Sequence, residues 1–456
     1  MVKYYVRLED FTLPDSPVSW ALDVIPTDGR LLIANGTELL REQLPRTRRF
    51  ERVAELSLDS PGVLRISPSG VKAALISSAG NSLVVFDPRN GHIISQTASG
   101  DGNYFYDAEW YDDTILAVTE ALSGQGPTVK VFNLEQNQSK VVIRNIGAAS
   151  GGVTFSQDGE LFTGNGYSSS GDDETGLLKV YSLAVWQQAW DNDSPIDFED
   201  STIGTVVANL LSGAYLGFDR YDNLHIGGGD NFSSAPDTNY AAVIFKQTLE
   251  NILRHQGSPV TPGDPALPED ALGVWQRFDP DPQQNSAWLI HANRVTGEFL
   301  LKAYEGPTVY NHFLVTEETR SGVREVMIEA NYQLGDNPGF YSGTAFVSFD
   351  LDIPLLLPSL NSFQGDLALV FETQYIETFS GQSRHSVSLG GEHIGDLKDD
   401  QNRTDNEQFS FNIPRDTLEA ILMRGNPTTL TINAKRLAGN MSDDFLVRKY
   451  GYRVTL

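Results

Sequence analysis

Oxygen-bearing side chains recur at one position in the first half of the chain, six or seven residues after a tight turn. The turns pair Asp or Ser with Gly, Asp or Asn, which tolerate positive φ and therefore favour hairpins. If each turn opens one copy of a repeated unit, these side chains lie on one face of the assembled units. A binding surface and an ordinary polar loop surface would both produce this pattern. The five positions are Asn35, Ser77, Glu120, Asn165 and Asp230.

Two of the loops at these positions are long and acidic, and they are the first candidates for a metal site. GNGYSSSGDDETG and GGGDNFSSAPDTNY combine carboxylates and amides with glycine, and Ca²⁺ binds about six to eight such oxygens. Neither loop has EF-hand spacing, so solvated acidic loops remain the alternative. The predicted ligands are Asp172, Asp173, Glu174, Asp230, Asp237 and Asn239.

A third acidic segment, GDLKDDQNRTDNEQF, lies near the C-terminus. Its carboxylates could hold one structural Ca²⁺, and a polar turn between strands is the competing interpretation. The candidate ligands are Asp399, Asp400 and Asp405.

The loop SGDGNYFYDAEW places aromatic rings beside amides and carboxylates. This combination is typical of carbohydrate binding, because a ring packs on the apolar face of a sugar while oxygens bind its hydroxyls. Packing of these aromatics between repeated units is the alternative. The predicted ligand-binding residues are Asn103, Tyr104, Tyr106 and Asp107, together with Asn165 and Asn231 from the two acidic loops.

Signals for catalysis are sparse. The chain has seven histidines and no H-E-x-x-H or G-x-S-x-G pattern, and NLHIGGG lacks the Lys or helix start of a phosphate cradle. His225 as a base and Glu120 as a metal ligand are the only catalytic candidates, and a structural histidine is the alternative for the first. No organic cofactor is indicated. The absence of cysteine excludes thiolate nucleophiles and disulfides.

Composition narrows the classes of partner. Sixty acidic against 33 basic residues give a net charge of −27, which disfavours nucleic acid and anionic membrane surfaces. No apolar run approaches the length of about 18 residues that membrane insertion requires. A length of 456 residues favours two domains.

The polar positions belong to a repeat of two hairpins. Five copies of a first hairpin, such as WALDVIPTDGRLLIANG and GGVTFSQDGELFTGNG, alternate with a second hairpin such as SLVVFDPRNGHIIS. Anchor residues of the second hairpin are 46, 49, 64 and 46 residues apart, at Phe86, Phe132, Tyr181, Phe245 and His291. Four strands per unit at this period are the signature of a β-propeller.

The units, above all YDNLHIGGGD, resemble blades of the NHL and YVTN-type β-propellers of exported bacterial proteins. The resemblance covers about residues 5–335 and implies an all-β propeller of six or seven blades. Seven is preferred if KYYVRLEDF closes the ring against NHFLVTEETRSGVREVMIE. We place the propeller at 1–335, with an inserted helix and Pro-rich loop at about 247–270.

The segments HSVSLGGEHIGDLKDD, EQFSFNIPRDTLEAIL and TLTINAKRLAGNMSDDFLVRKYGYRVTL alternate in the manner of strands. They resemble the jelly-roll-like β-sandwiches near the C-terminus of exported bacterial proteins. We place this sandwich at 340–456. Both resemblances imply export to the periplasm, cell surface or exterior, with the leader absent from this chain.

The leading hypothesis is an exported, non-enzymatic binding or scaffold protein. Its propeller rim would recognise a glycan or a partner protein, and its acidic loops would hold Ca²⁺. A metal-dependent hydrolase or lyase resembling the propeller lactonases is one alternative, because a Ca²⁺ at the channel mouth could polarise a carbonyl. A structural subunit of a larger assembly is the other. The sequence leaves ligand identity and oligomeric state open.

Overall fold

The structure is a computed structural model that describes most of the chain. The described residues are 2–12, 20–27, 29–43, 49–56, 58, 60–100, 102–122, 126–147, 149–166, 176–210, 214–218, 222–228, 240–261, 288–292, 298–303, 308–334, 350–376, 385–398, 406–423, 429–434 and 445–456. The protein is all-β, with many small antiparallel sheets and a few short helices.

After strand β1 (Val2–Thr12), the chain forms sheets from consecutive antiparallel strands. The first sheet contains β2 (Trp20–Val24), β3 (Leu31–Asn35), β4 (Glu38–Glu42) and β5 (Phe50–Glu55). The second contains β6 (Pro61–Ile66), β7 (Ala73–Ser77), β8 (Ser82–Phe86) and β9 (Ile93–Ala98). The third contains β10 (Tyr104–Trp110), β11 (Ile115–Leu122), β12 (Gly126–Asn133) and β13 (Gln138–Arg144).

The fourth and fifth sheets carry helical insertions. The fourth contains β14 (Ala149–Phe155), β15 (Leu161–Gly166), β16 (Gly176–Tyr181) and β18 (Thr205–Leu210). Between β16 and β18 lie α1 (Leu183–Asp191) and β17 (Ile196–Asp197), and β17 pairs with β13 as the fifth strand of the third sheet. The fifth contains β19 (Ala214–Phe218), β20 (Leu224–Gly228) and β21 (Tyr240–Ile244), followed by α2 (Lys246–Leu253).

Burial falls from the inner to the outer strands of these sheets. Every residue of β3, β6 and β7 is buried, which requires apolar packing on both faces, whereas β9 is mostly exposed. The first strand of each sheet contacts the first strand of the next, from β2 through β6, β10 and β14 to β19. The sheets therefore pack face to face along their first strands.

The predicted hairpin turns are confirmed where they are described. Gly29, Gly70, Gly159 and Asp222 have positive φ, the conformation that the turn sequences favour. Asp112 instead stabilises its turn by accepting the N–H of Thr114 and of Ile115, both at 2.7 Å.

The sixth sheet joins the two ends of the N-terminal region. Its strands β22 (Trp288–Ala292), β23 (Glu298–Ala303) and β24 (Thr308–Arg320) are the first part of an eight-stranded sheet that continues into the C-terminal strands. Strand β22 also contacts β19. Strand β1 pairs along β24, from Val2 opposite Glu317 to Thr12 opposite Thr308. The pairing predicted between KYYVRLEDF and NHFLVTEETR is thus confirmed.

The remaining strands form two groups around one core. They are β25 (Val323–Leu334), β26 (Asp350–Pro354), β27 (Gln364–Gln374), β28 (His385–Leu389), β29 (Glu392–Leu397), β30 (Asn406–Ile413), β31 (Thr429–Asn433) and β32 (Phe445–Thr455). One group has the order β25-β32-β27-β30 and the other β26-β31-β28-β29. Both groups, with α3 (Arg415–Met423), contribute buried residues to the same apolar cluster.

The hairpin of β24 and β25 joins the C-terminal group to the sixth sheet within one continuous eight-stranded sheet. Val315 on β24 pairs with Ile328 on β25, and both belong to the C-terminal core. The domain boundary predicted between residues 335 and 340 lies outside the described residues.

The predicted inserted helix corresponds to α2, in which Leu249 and Ile252 are buried as their spacing suggested. The Pro-rich part at 262–270 lies outside the described residues. Among the described helices, none is long and apolar enough to cross a membrane.

Gly451→Ala will destabilise the C-terminal core. Gly451 lies on β32 between β25 and β27, and a Cβ at this position would overlap the carbonyl oxygen of Val326. Because backbone on both sides limits relaxation, we expect the free energy of unfolding to fall by about 2–3 kcal/mol in urea titrations. Gly257→Ala is the control, because the nearest atoms to its added Cβ belong to Ile252 at 3.4 Å, an ordinary van der Waals distance. Equal stability of the two variants would contradict the packing of β32.

Candidate functional site

The recurrent polar residues occupy equivalent places in four sheets. Each stands near the end of the second strand, opposite the start of the first strand. The pairs are Asn35 with Trp20, Ser77 with Pro61, Glu120 with Phe105 and Asn165 with Ser150. The fifth predicted position, Asp230, lies outside the described residues.

These side chains mainly stabilise the connection from the second to the third strand. Ser77 Oγ accepts the N–H of Ser82 at 3.1 Å, and Asn165 Oδ1 accepts the N–H of Leu177. Glu120 is 3% exposed and lies 3.6 Å from Nζ of Lys130 on the next strand. Hydrogen bonds within the sheet therefore explain Ser77 and Asn165 without a ligand, and an ion pair explains Glu120.

Asp107 belongs to a buried ion pair that joins three sheets. Its carboxylate is 0% exposed, accepts from Arg65 Nη2 at 3.0 Å and accepts the N–H of Val153 at 3.2 Å. Arg65 Nε also donates to the carbonyl of Ala108 at 2.9 Å. Burial raises the pKa of Asp107, and Arg65 opposes that effect. A role in sugar binding was predicted for Asp107. Its carboxylate instead faces the interior, where it forms the ion pair that joins the sheets.

Two further acids lie close to Arg65 on the first strands. Burial raises the pKa of Glu109 to about 7, Arg65 opposes the rise, and Asp23 and Asp107 add to it. Asp23 on β2 accepts the N–H of Ile66 on β6 at 2.7 Å. This cluster of Arg65, Glu109 and Asp23 was not predicted from the sequence. Charged residues inside the otherwise apolar segments GVLRIS, YDAEWY and WALDVI were the signal that could have identified it.

The aromatic candidates separate into one packed and one exposed ring. Tyr106 stacks on Tyr215 of the fifth sheet, with ring centroids 4.9 Å apart and an interplanar angle of 9°. Tyr104 is 42% exposed, and nearby Asn103 donates its N–H to Gly100 at 3.3 Å. Tyr106 thus packs between sheets, while Tyr104 remains available to a ligand.

A cavity of about 580 Å³ opens beside the fourth sheet, and Asn165 lies in its wall. The other walls come from the segment between β17 and β18 and from the end of α2. The lining residues with polar side chains are Asn165, Lys179, Glu199, Ser201, Thr205 and His255.

Lys179 organises the wall of this cavity. Its ammonium donates to the carbonyl of Phe198 and, at 3.2 Å, to that of Asp200, and it lies 4.8 Å from the centroid of the Phe198 ring. Burial lowers the pKa of Lys179, and Asp200 is the main opposing charge. Phe198 is buried, and the ammonium of Lys179 bonds to the main chain beside it. These contacts fix the position of the segment that carries Glu199 and Ser201.

The predicted metal and catalytic residues do not form a described site. All nine predicted Ca²⁺ ligands, Asp172, Asp173, Glu174, Asp230, Asp237, Asn239, Asp399, Asp400 and Asp405, lie outside the described residues, as does Asn231. Within the described part of the chain, no group of three acidic or histidine residues could hold a metal ion. His225 is 1% exposed on β20 of the fifth sheet, and Glu120 lies on β11 of the third.

Comparisons with known proteins give likenesses to solved structures only. No family model and no curated protein matches the chain. A chain in the crystal structure of the mitotic checkpoint complex is similar over 70% of this chain and 77% of its own length, at 11% identity and a TM-score of 0.40. A likeness at that level carries no argument about fold or function.

Proposed function

We propose that the chain is an exported, non-enzymatic binding protein in which a six-bladed β-propeller presents the ligand site. Five antiparallel sheets and the β22-β23-β24 part of the eight-stranded sheet follow one another in the described residues, and their first strands contact each other in sequence. By pairing with β24, the N-terminal strand β1 would become the outer strand of the last blade. A blade built from both ends of the repeat region is the usual way in which a propeller closes its ring. This arrangement favours six blades over the seven preferred from the sequence.

The second part of the proposal is a jelly-roll sandwich from β25 to β32. Two four-stranded groups with the orders β25-β32-β27-β30 and β26-β31-β28-β29 share one core, as expected for eight strands wound as two Greek keys. The β24–β25 hairpin would hold it rigidly against the propeller as a spacer or accessory binding unit.

The cavity beside the fourth sheet carries the functional proposal. Its volume of about 580 Å³ is within the range of small-molecule sites. Amide, hydroxyl, carboxylate and imidazole groups line it together, a mixture that suits the alternating donors and acceptors of a sugar. The net charge of −27 disfavours polyanionic chains. We infer that the ligand is a neutral glycan.

The test is binding to an array of neutral and sulfated glycans, followed by calorimetry on the neutral hits. Ser201→Trp would fill the cavity and should weaken binding at least about tenfold. Ser194→Trp, at an exposed residue outside the cavity, is the matched control. Titrations in EDTA and in millimolar Ca²⁺ test the predicted ion.

Two outcomes would contradict the proposal. Equal binding by both variants would place the glycan site elsewhere. Turnover of a sugar or lactone, abolished by Ser201→Trp, would favour the hydrolase alternative.

A further inference from the structure

The outer edges of the N-terminal sheets are protected in different ways. Strand β5 carries Glu51, Arg52 and Glu55, and charges on an edge oppose pairing with other chains. The outer edge of β13 is covered by β17, and that of β18 by a parallel bridge between Ala208 and Val260. Charge or a covering segment therefore protects three of these edges.

Strand β9, the outer strand of the second sheet, has neither protection. Its sequence IISQTA contains no charge and no proline. Ile93 is 38% exposed and Ile94 45% exposed, and among the described residues no strand pairs with its outer side. An uncharged edge with exposed β-branched residues is the kind that accepts another strand.

The chain itself shows that its sheets accept an added segment. Ile196 and Asp197 pair in parallel with Ile143 and Arg144 at the edge of the third sheet. At the fourth sheet, Val260 donates its N–H to Val207 at 3.0 Å and accepts that of Asn209 at 2.8 Å. Extended segments thus dock on outer strands of this architecture through main-chain hydrogen bonds.

We propose that β9 is a docking edge for an extended segment of a basic partner protein. Strand addition would satisfy the outward-facing main-chain groups of residues 93–98, which do not pair with β8, and would bury Ile93 and Ile94. A second copy of this chain is a poor occupant, because each copy carries −27. The same charge attracts a segment whose flanks are basic and whose centre is rich in β-branched residues.

The probe is a synthetic peptide of alternating valine and threonine with two lysines at each end, labelled for fluorescence anisotropy. Two matched peptides serve as controls, one with glutamates in place of lysines and one with alternate amides N-methylated. We expect the lysine peptide to bind and to protect the amides of residues 93–98 from hydrogen exchange. The glutamate peptide should bind at least about tenfold more weakly, and N-methylation should abolish binding because it removes the donors of the added strand.

Variants localise the site. Ile94→Lys should weaken binding of the lysine peptide about tenfold or more, since it removes an isoleucine that the added strand would bury and adds a like charge. Val71→Lys, at a comparably exposed residue outside β9, should leave binding unchanged. The proposal is overturned if the lysine peptide does not bind, if Ile94→Lys binds as well as the unmodified protein, or if protection appears elsewhere. The proposal is also overturned if sedimentation velocity shows a dimer that Ile94→Lys dissociates. In that case the segment that pairs with β9 comes from a second copy of the chain and not from a basic partner.

Discussion

Arg65→Met is expected to lower the free energy of unfolding by about 3–5 kcal/mol, because it leaves the carboxylate of Asp107 buried without its cation. Arg65 and Asp107 are 4% and 0% exposed, and no solvent replaces the lost partner. The variant also loses the bond to the carbonyl of Ala108. Urea unfolding followed by tryptophan fluorescence measures the effect, and Trp110 reports directly because its Nε1 donates to the carbonyl of Arg65 at 3.0 Å.

Two variants make this experiment decisive. The double variant Arg65→Met with Asp107→Leu should recover a large part of the loss, because it removes the unpaired charge as well. Arg89→Met breaks an exposed pair with Asp87, in which Arg89 is 67% exposed, and should leave stability unchanged. If Arg65→Met and Arg89→Met behave alike, the buried pair does not hold the sheets together.

Glu109→Gln should stabilise the protein above neutral pH and have little effect in acid. The pKa of Glu109 rises from 4.5 in the unfolded chain to about 7 in the folded protein. Below the lower value both states are protonated. Between the two values only the folded state keeps the proton, so the free energy of unfolding falls as pH rises and levels off above about 7. The cost of ionisation is about 2–3 kcal/mol, allowing for the water that reaches this partly buried side chain.

The measurement is a series of urea titrations of both proteins between about pH 5 and pH 8. The difference in unfolding free energy should grow through this range in favour of glutamine. Glu135→Gln, in the exposed turn after β12, is the control for losing one negative charge. A stabilisation by Glu109→Gln that is the same at both ends of the range would show that ionisation is not its cause.

Local turn chemistry made much of the N-terminal fold predictable. The Asp-Gly and Ser-Gly pairs impose positive φ at Gly29, Gly70 and Gly159, so the hairpins follow from neighbouring residues alone. The closing pair of β1 and β24 was predictable because an unpaired apolar strand at each end of a repeat needs a partner.

Two short helices escaped prediction for a physical reason. LAVWQQAW, within α1, directly follows a strand, and its helix was not predicted although Trp186 and Ala189 are buried at helical spacing. In α3, Leu418 and Ile421 show the same spacing after Pro414, a residue typical of helix starts. In both segments the apolar strand that precedes the helix masked this spacing, which was recognised in α2.

The site was only partly predictable because sequence places a residue in a strand without showing what packs against it. Asn165 was identified and lies in the cavity wall, but Lys179 and His255 reach it from other elements, 14 and 90 positions along the chain. Asp107 was expected at a surface, whereas Arg65 from the preceding sheet encloses it. Such contacts depend on how sheets meet, which residue spacing does not encode.

The pairing of β1 with β24 also constrains the order of events during synthesis. Val2 meets Glu317, so the first strand emerges from the ribosome about 300 residues before its partner. At a translation rate of about 5–20 residues per second, the main chain of β1 remains without its partner strand for roughly 15–60 s. Lys3, Arg7, Glu9 and Asp10 interrupt its apolar residues, and charges placed in this way oppose aggregation of an exposed strand. The charged residues of β1 thus protect the nascent chain from aggregation until β24 has been synthesised and can pair with β1.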